Sequence, residues 1–190
     1  MFYWAGVKDL EFYNNEFEEP LLIKSTEEYE VKSLKWIGEC TAPEYLTLAD
    51  KAYLHEESYC NTLLEAESRG KLLSRVDKEL IGIRKQQIID KETGCRYMIE
   101  NNKGDDLALM YKCFVREDTN LGVIIHCLCE YTESLGNKYV EDVTLTADPC
   151  AFTQKLLDFK KEVDSMIEYS FSNNIKFEKG RDTSFQNFMN

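Results

Sequence analysis

The chain is 190 residues long, 43% hydrophobic and 31% charged, with a formal net charge of -12. Such a composition belongs to a globular protein long enough to bury a real core rather than to a disordered chain. A surface this acidic repels phosphate backbones and anionic lipid, which makes nucleic acid and membrane surfaces poor partners and favours a basic protein partner.

Apolar residues recur at three- and four-residue steps, the period of an amphipathic helix. Thr26 is predicted to cap a helix reaching Glu39, with Tyr29, Leu34 and Ile37 inward and Trp36 toward a second neighbour. Thr41-Ala42-Pro43 starts a second, carrying Tyr45, Leu48, Ala49, Ala52, Tyr53, Tyr59, Leu63 and Leu64. From Leu72, a face of Leu73, Val76, Leu80, Ile83 and Gln87-Ile88 follows, and Asp105 or Asp106 starts Leu107, Met110, Tyr111 and Phe114. Leu121 to Leu135 is a further helix. Val140 to Leu145 alternates like a strand, but a lone strand has no partner, so it is predicted as a loop. Asp148 as N-cap with Pro149 at the first helical position opens a long stripe of Phe152, Leu156, Phe159, Val163, Met166, Ile167, Ser170 and Phe171. Gly70, Gly94, Gly104 and Gly136 mark predicted helix ends. The predicted fold is all-α: consecutive helices with short connections, stacked as a repeat-like array.

No apolar run reaches the roughly 20 residues needed to span a bilayer. The start, Met1-Phe2-Tyr3-Trp4-Ala5-Gly6, has no basic region of a secretory signal. Seven scattered cysteines without a CxxC pair fit small buried hydrophobes in a reducing compartment, cytosol or nucleus.

Of two histidines, His55 and His126, only the second stands near thiols, beside Cys127 and Cys129. Successive helical residues diverge by about 100°, so these three cannot converge on one ion, and a buried thiol beside an incidental histidine is the better reading. The acidic pairs Glu27-Glu28, Glu56-Glu57 and Asp105-Asp106 fall on polar stripes or helix starts, where capping or solvation explains them better than acid–base catalysis. There is no P-loop or nucleophile elbow. No catalytic, cofactor-binding or metal residue is assigned, and no cofactor is expected. Phe2-Tyr3-Trp4 with Phe12-Tyr13 could form an exposed patch, although core packing is favoured except at the extreme N-terminus.

One block, Gly94-Cys95 through Asp106-Leu107 and Met110-Tyr111, together with Phe17-Glu18-Glu19-Pro20-Leu21-Leu22 and with Thr26 and Tyr29, resembles the helical N-terminal half of the cullins. Lys71-Leu72-Leu73 with Leu80 matches a further family helix, and Asn173-Asn174, Phe177, Phe185, Phe188 and Asn190 resemble its closing pattern. The likeness covers Phe17 through Asn190, with about 17–140 as a second cullin repeat and 141–190 as part of a third. Its finer flavour is that of the cullins in plant SCF-type ligases.

The resemblance implies a non-catalytic scaffold fragment of a cullin-RING (SCF-type) ubiquitin ligase, acting in ubiquitin-dependent protein degradation by holding protein partners. It implies that the adaptor-docking first repeat and the C-terminal domain that recruits the RING protein and carries the neddylation lysine lie outside this sequence. Adaptor and RING contacts are therefore not carried over. A competitor for a cullin-binding exchange factor, a residual truncated cullin without independent activity, and a small metal protein using His126 are the rival readings. Three departures stand out: Leu63-Leu64-Glu65 where relatives show Tyr-Leu-His, Leu109 at a usually basic position, and Gly180-Arg181 for an apolar Ala-Leu pair. They predict relaxed constraint or, with Gly180-Arg181 in the last helix, a terminus that is no longer packed.

Overall fold

The computed structural model describes residues 10–119 and 121–190, so Phe2-Tyr3-Trp4 lies outside the described residues. Every regular element among them is helical. In chain order these are α1 (Leu10–Tyr13), a π-helical turn (Asn14–Glu18), α2 (Glu19–Glu39), α3 (Ala42–Leu63), α4 (Ala66–Asp77) and a second π-helical turn (Lys78–Gly82). Then follow α5 (Lys85–Ile89), α6 (Cys95–Glu100), α7 (Gly104–Glu117), α8 (Gly122–Glu141), α9 (Val143–Thr146), α10 (Pro149–Phe171) and α11 (Ile175–Met189). They form two compact units, one holding the stretch to Ile88 with Cys113–Thr119, the other Ile89–Lys112 with the stretch to Asn190.

In the first unit, Pro20 has no N–H to bond back along the helix, and its ring crowds the carbonyl four residues earlier. The wider π turn directly before it absorbs this, with the Glu19 N–H reaching the Asn14 carbonyl. Thr26 is therefore no cap: α2 is already under way from Glu19, and the Thr26 hydroxyl donates to the Leu22 carbonyl at 2.8 Å. The inward stripe is Leu22, Tyr29 and Ser33, with Trp36 edge-on to Tyr45 at 6.5 Å between ring centroids. That phase turns Leu34, predicted inward, out to solvent at 51% exposure.

Helix α3 starts as predicted. The Thr41 N–H and hydroxyl both donate to the Glu44 carboxylate, at 2.9 and 2.7 Å. Tyr45, Leu46 and Ala49 are fully buried, and the Tyr45 hydroxyl donates to the Leu80 carbonyl at 2.5 Å. At the far end Cys60 takes the inward place, clustered with Leu22 and Leu72, so Tyr59 and Leu63 face out rather than in. Helix α4 runs through Gly70 instead of stopping there. Beyond it the Ile83 N–H bonds the Lys78 carbonyl five residues back. The extra residue in that turn shifts the helical phase, burying Ile81 and Ile88 and leaving Ile83, predicted inward, half exposed.

In the second unit, the long stripe of α10 is observed. Asp148 accepts from the Cys150 and Ala151 N–H groups, and Phe159, Val163, Ile167, Ser170 and Phe171 are buried. Phe159 is ringed by Tyr131, Tyr139 and Phe185 at centroid distances of 6.5, 5.5 and 5.4 Å. The Asn173-Asn174 pair has a clear local role. Ser172 and Asn173 adopt left-handed backbone (φ 52° and 53°) to reverse the chain, and the Asn174 side chain caps α11 by accepting from the Lys176 N–H. The reversal stacks Phe177 on Phe171 at 4.2 Å, with Tyr111 edge-on to both at 6.0 Å.

The predicted loop at Val140 to Leu145 is helical instead. Helix α8 continues to Glu141, and Asp142 then caps α9 by accepting from the Thr144 and Leu145 N–H groups. Gly104 begins a helix rather than ending one, and Gly136 lies inside α8. Its lack of a side chain serves packing: a Cβ there would come within 2.3 Å of the Phe188 Cδ1 of α11. Gly136→Ala is expected to lower stability by about 1–2 kcal/mol, overpacking outweighing the gain in helix propensity. Urea melts check this, and Phe188→Leu should shrink the loss; a more stable Gly136→Ala would contradict the packing role.

Candidate functional site

The residues singled out for chemistry do not form one centre. His126 projects into solvent, 3.4 Å from the Glu130 carboxylate on the same helix face. Cys127 is buried, and Cys129 faces Ser184 and Gly180 of α11. Among the described residues no group of three His, Cys, Asp or Glu side chains is arranged to hold a metal ion.

The acidic pairs have structural work of two kinds. Glu28 pairs with Lys32 at 2.5 Å on the surface. Glu56 and Asp105 each accept a tyrosine hydroxyl from another helix, Tyr29 at 2.7 Å and Tyr169 at 2.6 Å. Those two carboxylates thus pin helices together, a role beyond the capping or solvation expected of them. Burial, and next the Glu56 carboxylate at its hydroxyl, raise the Tyr29 phenol above its ordinary range.

Two polar clusters escaped sequence reasoning. In the first, Arg116 at the end of α7 donates to Asp50 of α3 at 2.7 Å and to Asp77 of α4 at 3.3 Å, with its guanidinium 4.0 Å from the Tyr53 ring centroid. Burial pushes the Asp77 carboxyl up to about 6, the nearby Arg116 cation only partly opposing it. In the second, Glu18 of the first π turn is buried and accepts from Ser68 at 2.6 Å and Lys71 at 3.0 Å. The Ser68 hydrogen bond, then Lys71, hold Glu18 below the usual carboxylate range despite its burial. The only sequence trace of Arg116 is its place three residues after Cys113 on the apolar face of α7; its acidic partners lie 39 and 66 residues away. A carboxylate tied to a guanidinium or a lysine is not an available base. These clusters join helices.

A concavity of 490 Å³ lies between α2 and α3, walled by Leu21, Ser25, Tyr59, Leu63 and Leu64. Leu63 stands where the Tyr-Leu-His element has its tyrosine, and Tyr59 and Leu63 stay exposed there. Lys24, Glu28, His55, Glu56 and Cys60 line it as well, but Glu28 is paired with Lys32 and Glu56 accepts the Tyr29 hydroxyl.

The departure at Gly180-Arg181 does not loosen α11. Phe177, Ser184 and Phe188 are buried, and a Cβ on Gly180 would meet the Cys129 Sγ at 2.9 Å and the Ile125 Cγ2 at 3.2 Å. Glycine lets α11 approach α8 closely. Arg181 is mostly buried, but it is ion-paired to Asp164 of α10 and to Asp182. The expected loose packing is thus corrected: small residues and a paired charge fill the place of the Ala-Leu pair.

Among the described residues, no helix is long and apolar enough to cross a membrane. A family model, the cullin alpha solenoid domain, matches residues 1–190. Cullin-3B of Arabidopsis thaliana is 32% identical over 179 residues, covering 94% of this chain and 24% of that relative. Cullin-3 of Dictyostelium discoideum is 28% identical over 186 residues, and human Cullin-4A 29% over 184, each covering 97% of this chain and 24% of the relative. The chain spans about a quarter of the length of the curated relatives it matches. With the solenoid model running from its first residue to its last, over helices packed as described, the chain belongs to the cullin family.

Proposed function

We propose that this chain is a non-catalytic scaffold segment of cullin-RING ubiquitin ligase assemblies, working in ubiquitin-dependent degradation through protein contact and rigid spacing. The observation that carries the reading is the match of the cullin solenoid model to the whole chain. Support comes from the use of its buried charges, which cross-link helices instead of meeting in a reactive cleft. On this reading residues 17–140 serve as a second cullin repeat and 141–190 as part of a third, and the protein works in cytosol or nucleus.

A second version of this reading is competition. A segment of this kind would compete with a full-length cullin for a partner that grips the helical stalk, such as a cullin-binding exchange factor. Both versions are tested by affinity purification of the tagged chain from its native cell. Recovery of a cullin, an adaptor, a RING subunit or an exchange factor is expected; recovery of none of them counts against both.

A further inference from the structure

Unlike the carboxylates that join helices, one buried acid holds nothing in place. Glu79, in the second π-helical turn, is 8% exposed. Among the described residues its carboxylate accepts no hydrogen bond and has no ion-pair partner. A buried carboxylate without a donor is costly, so such a group points to a donor that arrives from outside.

Measured contacts on either side locate it. The stretch from Lys71 to Arg84 runs alongside α2 in the same direction: Lys71 is 3.0 Å from Glu18, Arg75 3.6 Å from Glu19, and the Arg84 Nε donates to the Ser33 hydroxyl at 3.3 Å. The π turn between Arg75 and Arg84 packs directly on α2. Glu79 is midway between those two arginines, so it lies beside the middle of the Glu19–Ser33 stretch, next to the turn from Thr26 to Glu30. Glu30, three residues before Ser33, is on the same side of α2 and is exposed. Burial, then the Glu30 charge, raise the Glu79 carboxyl above its ordinary range, with Arg84 and Lys78 opposing them.

The rest of this face is apolar and uncovered. Ile23 and Leu34 flank Glu30 on one stripe of α2 and are 47% and 51% exposed. Ile83, directly after the π turn, is 49% exposed. Large aliphatic side chains left open around carboxylates mark a contact surface. We infer that this face, Ile23, Glu30 and Leu34 of α2 with Glu79 and Ile83 beside them, is a docking surface for a basic amphipathic helix of a partner protein. Apolar side chains of that helix cover Ile23, Leu34 and Ile83 at helical spacing, and an arginine or lysine between them donates to Glu79 and Glu30. A second copy of this chain, at a net charge of -12, is the wrong occupant, since it brings like charge to two carboxylates. The surface stands apart from the ligase reading, which affinity purification tests separately.

The test titrates the full chain, with its isoleucine and leucine methyl groups labelled for NMR, with a panel of synthetic amphipathic helices of roughly 20 residues, long enough to fold. Each carries leucine on one face and arginine at a different position beside it; a matched panel carries glutamate instead. Arginine peptides are expected to shift the methyl signals of Ile23, Leu34 and Ile83 and to leave Leu157, an equally exposed leucine on α10, unmoved. Glu30→Lys and Leu34→Ser, both at exposed positions, should each weaken binding about tenfold. Glu79→Gln should weaken it by a similar factor without lowering the melting temperature, whereas a carboxylate that merely held the fold would lower it. Binding of the glutamate panel as tight as that of the arginine panel, shifts at Leu157 in place of the three named residues, or no binding of any arginine peptide overturns the inference.

Discussion

Replacing Arg116 by alanine is expected to destabilise the first unit by about 3–5 kcal/mol at pH 7, because it strands two carboxylates beside each other with little solvent. Asp50 and Asp77 both take hydrogen bonds from this guanidinium, and their side chains are 13% and 7% exposed. The loss should shrink on acidification, and the sign follows from Asp77. Its folded carboxyl sits at about 6, above its ordinary 3.8, so the folded state holds the extra proton between those values. Its own contribution to stability is therefore greatest at low pH and declines as pH rises through 6. At pH 5 Asp77 is largely neutral with or without Arg116, and less charge is stranded. Urea melts of the parent and Arg116→Ala at pH 7 and pH 5 measure this. A pH-independent difference, or one under about 1 kcal/mol, the range of an exposed pair, would mean that the cluster is solvated instead of buried.

Phe171→Ala should cost the second unit a similar amount, about 3–5 kcal/mol, from lost burial plus the cavity left behind. Phe171 is fully buried, stacked on Phe177 and met edge-on by Tyr111. These three rings come from α7, α10 and α11, so the truncation removes the contact that closes the reversal at Ser172-Asn173. Phe171→Leu, which keeps most of the volume, should lose much less. Circular dichroism and dye binding separate the outcomes: helicity retained with new apolar dye binding is expected. An unchanged melting temperature for Phe171→Ala would show that the stack does not hold these helices together.

Much of the local structure was legible. The Asp148-Pro149 start and the stripe from Phe152 to Phe171 were readable because cap chemistry and the 3.6-residue period act within one helix. The same holds for Thr41-Ala42-Pro43 and for the apolar face of α7. The misplacements have one kind of cause. Leu34 and Ile83 were assigned inward on an uninterrupted α period, but α2 takes its phase from a start at Glu19, and the π turn at Lys78–Gly82 adds a residue. Gly136 reads locally as a helix end and Gly180 as a weak point, whereas each admits a side chain from a neighbouring helix. His126, Cys127 and Cys129 diverge on α8 as helical geometry requires, while the Arg116 cluster left no local signal.

By itself, the order of residues determined that this protein is helical, where most of its helices begin, and which family pattern they follow, since capping and periodicity are interactions between near neighbours. Only the tertiary structure decided which carboxylates share Arg116, which tyrosines Glu56 and Asp105 hold, and why glycine and arginine sit in a packed last helix. Those pairings join residues tens of positions apart, and nothing in the local sequence specifies the distance or the burial on which their energies depend.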